Sequence, residues 1–327
     1  MPVIARYRNP VIDTDFPDPS ILAAPVDGWW WAHSTQHTTI ERWAHVPVAR
    51  SRDLVSWEII GDALPEKPAW GRDQRECAWA PHVVAAEGRY LMYYAAMSDS
   101  RAGMCIGLAV ADHPAGPFVD TAEPLVCGEG YVAIDAMRFD DPVSGKAYLY
   151  WGSDRRPLHV AELTPNGRRL APGCEPVHIV EPDPSAPYER LIEGPFVVRR
   201  AGWYVLFYSG DDFGGDPAHY AVMVARSRSP LGPFQKLGAA RGTASSVILE
   251  QSDHFHAPGH NSVLTDAAGV DWIVYHAIDP TNRWNPGGRF VRRPMLYDRL
   301  EWVDGWPRVA GGGTPSTDER PAPVATR

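Results

Sequence analysis

The chain has 327 residues, a formal net charge of −9, 32 prolines, 29 glycines and 13 tryptophans. Proline at about twice its usual share excludes a fold of long helices, because an interior proline removes a hydrogen bond and clashes with the preceding turn. The acidic balance, with no basic run, excludes a nucleic-acid partner or an anionic membrane surface, and no apolar stretch approaches the roughly 20 residues of a membrane span.

In chain order, five aromatic runs each follow a turn step. They are GWWWAHS from Gly28, GRYLMYY from Gly88, GKAYLYWGS from Gly145, GWYVLFYSG from Gly202 and GVDWIVYHA from Gly269. Short β-branched and aromatic runs of this kind are strands. A second apolar segment follows each: VPVARSRD from Val46, CIGLAVADHPAGPF from Cys105, LHVAELTPNG from Leu158 and AVMVARSRSPLGPF from Ala221, with the divergent RRPMLYDRLEWVDGWP from Arg292 as the fifth. The cluster Arg50, Ser51, Arg52 reads as a solvated strand end.

Repeats of about 60 residues imply one supersecondary unit used several times. Sheets repeated radially leave only short, protected edges. The expected fold is therefore all-β, a five-bladed β-propeller in which each blade is a four-stranded antiparallel sheet. A sandwich or β-helix with chance spacing is the competing reading. A single catalytic propeller is expected over residues 9–310. The Gly-, Pro- and charge-rich tail, 311–327, is expected to be flexible.

Upstream of each aromatic run lies a further segment: FPDPSIL, WAPHVVA, IDAMRFD, EGPFVVR and GHNSVLT. Each opens with an ionisable residue: Asp18, His82, Asp135, Glu193 and His260. Equivalent strand starts in a propeller meet at one end of its channel, so three carboxylates and two imidazoles are expected in one cavity. Three clustered carboxylates suit glycoside hydrolysis. One takes a proton from water, one gives a proton to the leaving oxygen, and the third holds their pKa values apart. A turn or cap role explains any one of these acids alone, but not five matched positions.

The motifs NPVIDTDFPDPSI, WAPHVV, AIDAMRFDDPVSGKAYLYWGS, IEGPFVVRRAGWYVLFYSG, APGHNSV and RRPMLYDRLEWVDGWP, in this order, resemble glycoside hydrolase family 43 over roughly Asn9 to Arg308. That family comprises five-bladed propeller enzymes acting on arabinan, arabinoxylan and xylan oligosaccharides. The resemblance implies that Asp18 is the general base, Glu193 the general acid, and Asp135 the modulator that positions substrate and raises the acid's pKa. Ala136 departs from the proline common after this aspartate. The resemblance also implies that Arg293 reaches the substrate. It implies that His260 lies under the active site, where members often bind a structural calcium or sodium ion, directly or through water. No cofactor is required. His82, Trp79 and Phe196 are substrate-binding candidates, and Trp79 is the preferred sugar platform because it precedes the central strand of its blade. The consecutive Trp29 to Trp31 must point to alternating faces, so at least one is inter-blade core. The spacing of His254, His256 and His260 fits no standard structural zinc site.

The expected activity is inverting release of L-arabinofuranose from arabinan- or arabinoxylan-derived oligosaccharides by an exo-acting α-L-arabinofuranosidase. The alternatives are a β-D-xylosidase or dual-activity enzyme, then an endo-1,5-α-L-arabinanase. The partner is an arabinose- or xylose-containing oligosaccharide. A non-catalytic sugar-binding propeller would be expected to lack a carboxylate, and all three are present. Cys77, Cys105, Cys127 and Cys174 show no CxxC spacing and read as buried thiols. With no apolar leader visible at the start, a cytoplasmic location is expected.

Overall fold

The computed structural model describes residues 5–36, 44–74, 77–288 and 290–325. Five antiparallel sheets form, one for each sequence repeat. The first blade runs Ser20–Ile21, Trp30–His33, Pro47–Ser51 and Trp57–Asp62. The third runs Met137–Asp140, Ala147–Trp151, Leu158–Glu162 and Val177–Val180, and the fifth His256–Thr265, Asp271–Ile278, Met295–Val303 and Trp306–Val309. The second blade opens with Cys77–Ala86, Arg89–Met97 and Met104–Ala111, the fourth with Ile192–Arg200, Trp203–Asp212 and His219–Ser227. In both, the outermost strand is broken in two. Val119–Asp120 and Val126–Cys127 both pair with Met104–Ala111, and Gln235–Lys236 and Val247–Leu249 both pair with His219–Ser227. The five-bladed propeller is therefore the fold.

Strand alternation builds the core between blades. Trp30 packs with Trp272 and Val274 of the fifth blade, while Trp31 packs with Met92 and Tyr94 of the second. Adjacent residues thus serve opposite inter-blade clusters, as the two-residue period requires. Trp29 is used differently. The Arg50 and Arg52 guanidiniums each stand 4.2 Å from its ring centre. In the fourth blade, Arg226 and Arg228 cover Trp203 at 4.1 and 3.4 Å. The Arg-Ser-Arg segments are thus indole clamps rather than purely solvated strand ends.

The chain ends help close the ring. Arg6–Tyr7 pairs with Arg320–Pro321. The fully buried Asp298 accepts hydrogen bonds from Tyr275 Oη (2.7 Å), Ser316 N (3.2 Å) and Arg320 Nη1 (3.3 Å). Asn9 Nδ2 donates to Ser316 Oγ and to the Tyr297 carbonyl, both at 3.0 Å. The tail expected to be flexible is held by these contacts through residue 325, and Ala322 joins the cluster between the fifth and first blades. Its composition misled because the polar residues find buried partners.

The cysteine reading also needs correction. Cys105 and Cys127 face each other across paired strands and form a disulfide, leaving Cys77 and Cys174 free.

Candidate active site

A central cavity of about 20 Å³ is lined by three consecutive residues from each blade. They are Asp18 to Ser20, Ala80 to His82, Asp135 to Met137, Gly194 to Phe196, and His260 to Ser262. The first residue of each triplet has a left-handed backbone: φ is 53° at Asp18, 42° at Ala80, 61° at Asp135, 60° at Gly194 and 48° at His260. A non-glycine residue held there stores strain of about 1–3 kcal/mol, which persists only where the surroundings over-determine it.

The surroundings are supplied by the neighbouring blade. Thr35 Oγ1 accepts the Ala80 N–H at 2.7 Å, Ser209 Oγ accepts the His260 N–H at 2.8 Å, and His276 Nδ1 accepts the Asp18 N–H at 3.2 Å. These three acceptors each stand seven residues after the aligned glycine of their blade. The Gly194 N–H donates to Asp135 Oδ2 at 3.0 Å. Four of the five turns are thus held by the blade before them in chain order, that of the first blade by the fifth.

This register changes the reading of two blades. The position equivalent to Asp18 in the second blade is Ala80, not His82. His82 lies two residues deeper, edge-on to Phe196 with ring centres 5.8 Å apart. Burial pushes its imidazole down to about 4, so it is neutral. His82 and Phe196, each third in its triplet, line the same central cavity as Asp18 and Asp135. In the fourth blade Gly194 takes the left-handed position and Glu193 precedes it, as Trp79 precedes Ala80.

Asp18, Asp135, Glu193, His260 and Arg293 do come together. Arg293 Nη1 lies 3.1 Å from Asp18 Oδ1. His260 Nδ1 stands 3.5 Å from Asp18 and 3.9 Å from Asp135. Thr35 Oγ1 donates to Asp18 Oδ2 at 2.6 Å. Burial alone would raise the Asp18 pKa, but Arg293, His260 and His276 together hold it well below the usual carboxylate range. At Asp135 the Gly194 N–H and the Arg293 charge are outweighed. Burial, then the charges of Glu193 and Asp18, push its pKa well up. Glu193 is also raised, by burial first; the hydrogen bonds from Tyr220 Oη (2.7 Å) and Ser153 Oγ (2.8 Å) oppose this without cancelling it. The site thus holds one firmly ionised carboxylate opposite a carboxyl that favours its proton, which is the division an acid–base hydrolysis needs.

Tyr220, Ser153, Thr35 and His276 escaped the sequence reading. His276 is fully buried and neutral, its pKa lowered to about 4 by burial, and its ring stacks on Tyr220 at 5.9 Å. Thr35 and His276 were detectable as the polar residues at the repeated seven-residue offset. Tyr220 and Ser153 carried no such mark. At the rim, Trp79 stacks on the exposed Tyr131, with ring centres 5.8 Å apart and planes 3° from parallel. Arg293 lies 4.5 Å over the exposed Phe213.

Direct ligation of an ion does not fit these residues. Among the described residues no group of three or more His, Cys, Asp or Glu is placed to hold a metal. His260 Nδ1 faces the two aspartates. The buried Asn261 amide, unpartnered in the protein at both atoms, offers the channel a single side-chain oxygen suited to water.

The chain is 29% identical to a probable arabinan endo-1,5-α-L-arabinosidase A of Aspergillus flavus, over 94% of this chain and 95% of the relative. It is 28% identical to an arabinan endo-1,5-α-L-arabinosidase C of Emericella nidulans, over 94% and 96%. Among solved structures, a thermostable family-43 glycoside hydrolase superposes with a TM-score of 0.79 at 29% identity, covering 97% of this chain and 99% of the other. An α-L-arabinanase of Cellvibrio cellulosa shares the fold, with a TM-score of 0.73 at 24% identity over 90% of this chain and 95% of that one. The sequence model of glycosyl hydrolases family 43 matches residues 7–307, and the chain belongs to that family.

Proposed function

We propose that this glycoside hydrolase cleaves α-1,5-linked L-arabinan within the chain, with inversion. The observation that carries the choice of substrate is its similarity, over nearly the full length of both partners, to relatives named arabinan endo-1,5-α-L-arabinosidases. That similarity favours endo action over the exo-acting arabinofuranosidase expected first.

In this reading Asp18, ionised beside Arg293, takes a proton from the attacking water. Glu193, kept protonated by burial, gives its proton to the departing glycosidic oxygen. Asp135 is coupled to the acid, the like charge of Asp18 helps keep the acid's pKa high, and Tyr220 and Ser153 fix the acid's direction. An inverting site needs room for a water between base and sugar. The Cys105–Cys127 disulfide supports action in an oxidising compartment rather than the cytoplasm.

The test is the product profile on linear arabinan. Endo action gives an early fall in viscosity with mixed oligosaccharides. Arabinose as the sole early product would restore the exo reading. Faster turnover of 4-nitrophenyl β-D-xyloside than of any arabinan substrate would replace the substrate class.

A further inference from the structure

In the third blade, the segment Ser153 to Pro157 connects Ala147–Trp151 with Leu158–Glu162. Its first residue touches the acid, since Ser153 Oγ donates to Glu193 at 2.8 Å. Asp154 and Arg155 are both left-handed, with φ of 63° and 58°. The strained turn sends successive side chains to different sides. Arg155 lines a cavity of about 260 Å³ that also includes Glu193, Arg190 and Phe213. Asp154 and Arg156 line a second cavity of about 580 Å³, together with Glu129, His159 and His178. His159 stacks on Trp151 at 5.4 Å and meets His178 edge-on at 4.8 Å, and its Nδ1 is buried without a partner. Asp154 Oδ2 also accepts the Tyr131 N–H at 3.3 Å, which ties this wall to the Trp79–Tyr131 stack at the rim.

We propose that the second cavity is a distal subsite for the leaving-group part of the glycan chain. A general acid protonates the leaving oxygen, so the leaving portion begins at the cavity that contains Glu193. From there, the chain's next sugars cross the segment that carries Arg155 and reach the pocket beyond it. That pocket combines carboxylates, a guanidinium and imidazoles, and its volume lies within the range that ligand sites have. Mixed donors and acceptors suit the hydroxyls of a neutral sugar, and Glu129 and Asp154 disfavour an anionic one. The identity of that sugar as arabinose rests on the arabinan reading above.

The test compares kcat/KM on α-1,5-arabinohexaose with that on α-1,5-arabinotriose, for the wild type, Arg156→Ala and His178→Gln. Both side chains are exposed at the cavity edge, so the fold is expected to survive, and equal melting temperatures check this. The wild-type ratio of hexaose to triose is expected to exceed one, and to fall about tenfold in Arg156→Ala, the effect of one lost hydrogen bond to a charged group. A wild-type ratio of one, or a ratio unchanged in both variants, overturns the subsite. If the enzyme cleaves only xylo-oligosaccharides, the arabinan reading fails, and the same ratio on xylohexaose and xylotriose decides the subsite independently.

Discussion

Nη1 of Arg293 lies 3.1 Å from Oδ1 of Asp18, with both side chains largely buried. The guanidinium, with His260 and His276, outweighs the burial that would otherwise raise this carboxyl. A group with a lowered pKa is ionised at all pH values above it, and its contribution disappears as pH falls through it. Replacing the cation by Arg293→Met is therefore expected to move the acidic limb of kcat/KM to higher pH. A limb that stays in place would show that Arg293 does not set the base.

Asp135 and Glu193 are both raised, so the alkaline limb belongs to the pair rather than to either residue. The acid works while protonated and fails as pH rises through its folded pKa. Asp135→Asn removes a like charge and keeps an acceptor for the Gly194 N–H. The alkaline limb is expected to shift to lower pH, alongside a lower maximum rate. A shift to higher pH would contradict the assigned coupling.

Proton donation matters most where the leaving group is poor. Glu193→Ala is expected to lower kcat/KM on arabinan by about 10²–10⁴-fold. On 4-nitrophenyl α-L-arabinofuranoside, whose leaving group barely needs a proton, the loss should be much smaller. Asp18→Asn should cost at least about 10²-fold on both substrates, because the base acts on water in each case. Equal losses for Glu193→Ala on the two substrates would remove it from the role of acid. Initial product followed by NMR should show the inverted anomer.

Asp298 joins the fifth blade to the C-terminal tail, accepting from Tyr275, Ser316 and Arg320. Asp298→Ala leaves buried donors and one guanidinium without their partner, which costs about 3–5 kcal/mol. The urea midpoint should fall accordingly with an unchanged slope. A loss within experimental error would mean that the propeller closes without this node.

Thiol titration of the denatured, unreduced protein should find the two free thiols of Cys77 and Cys174. Cys127→Ser should cost about 3 kcal/mol, the magnitude for a closed loop of this size. Four titratable thiols would contradict the pairing.

The sequence alone determined the architecture and which carboxylates meet at its centre. The aromatic strands after Gly28, Gly88, Gly145, Gly202 and Gly269 recur because each blade must bury the same two faces between neighbours. The acids stand where the chain turns into a channel-lining strand, so local pattern was enough to expect Asp18, Asp135 and Glu193 in one cluster, where they lie. Tertiary structure decided what local pattern could not encode. Taking the ionisable residue of each segment put His82 level with Asp18, although it stands six residues before its glycine and Asp18 ten; the left-handed turn occurs at Ala80. The groups that set proton affinity, Arg293 on Asp18 and Tyr220 and Ser153 on Glu193, come from other segments, 275, 27 and 40 residues away. The Cys105–Cys127 pairing and the buried tail likewise depend on which strands become neighbours. A single chain fixes which groups are available and how often they recur. Only the closed ring fixes which of them share a low-dielectric cavity, and that sharing decides which carboxyl holds a proton.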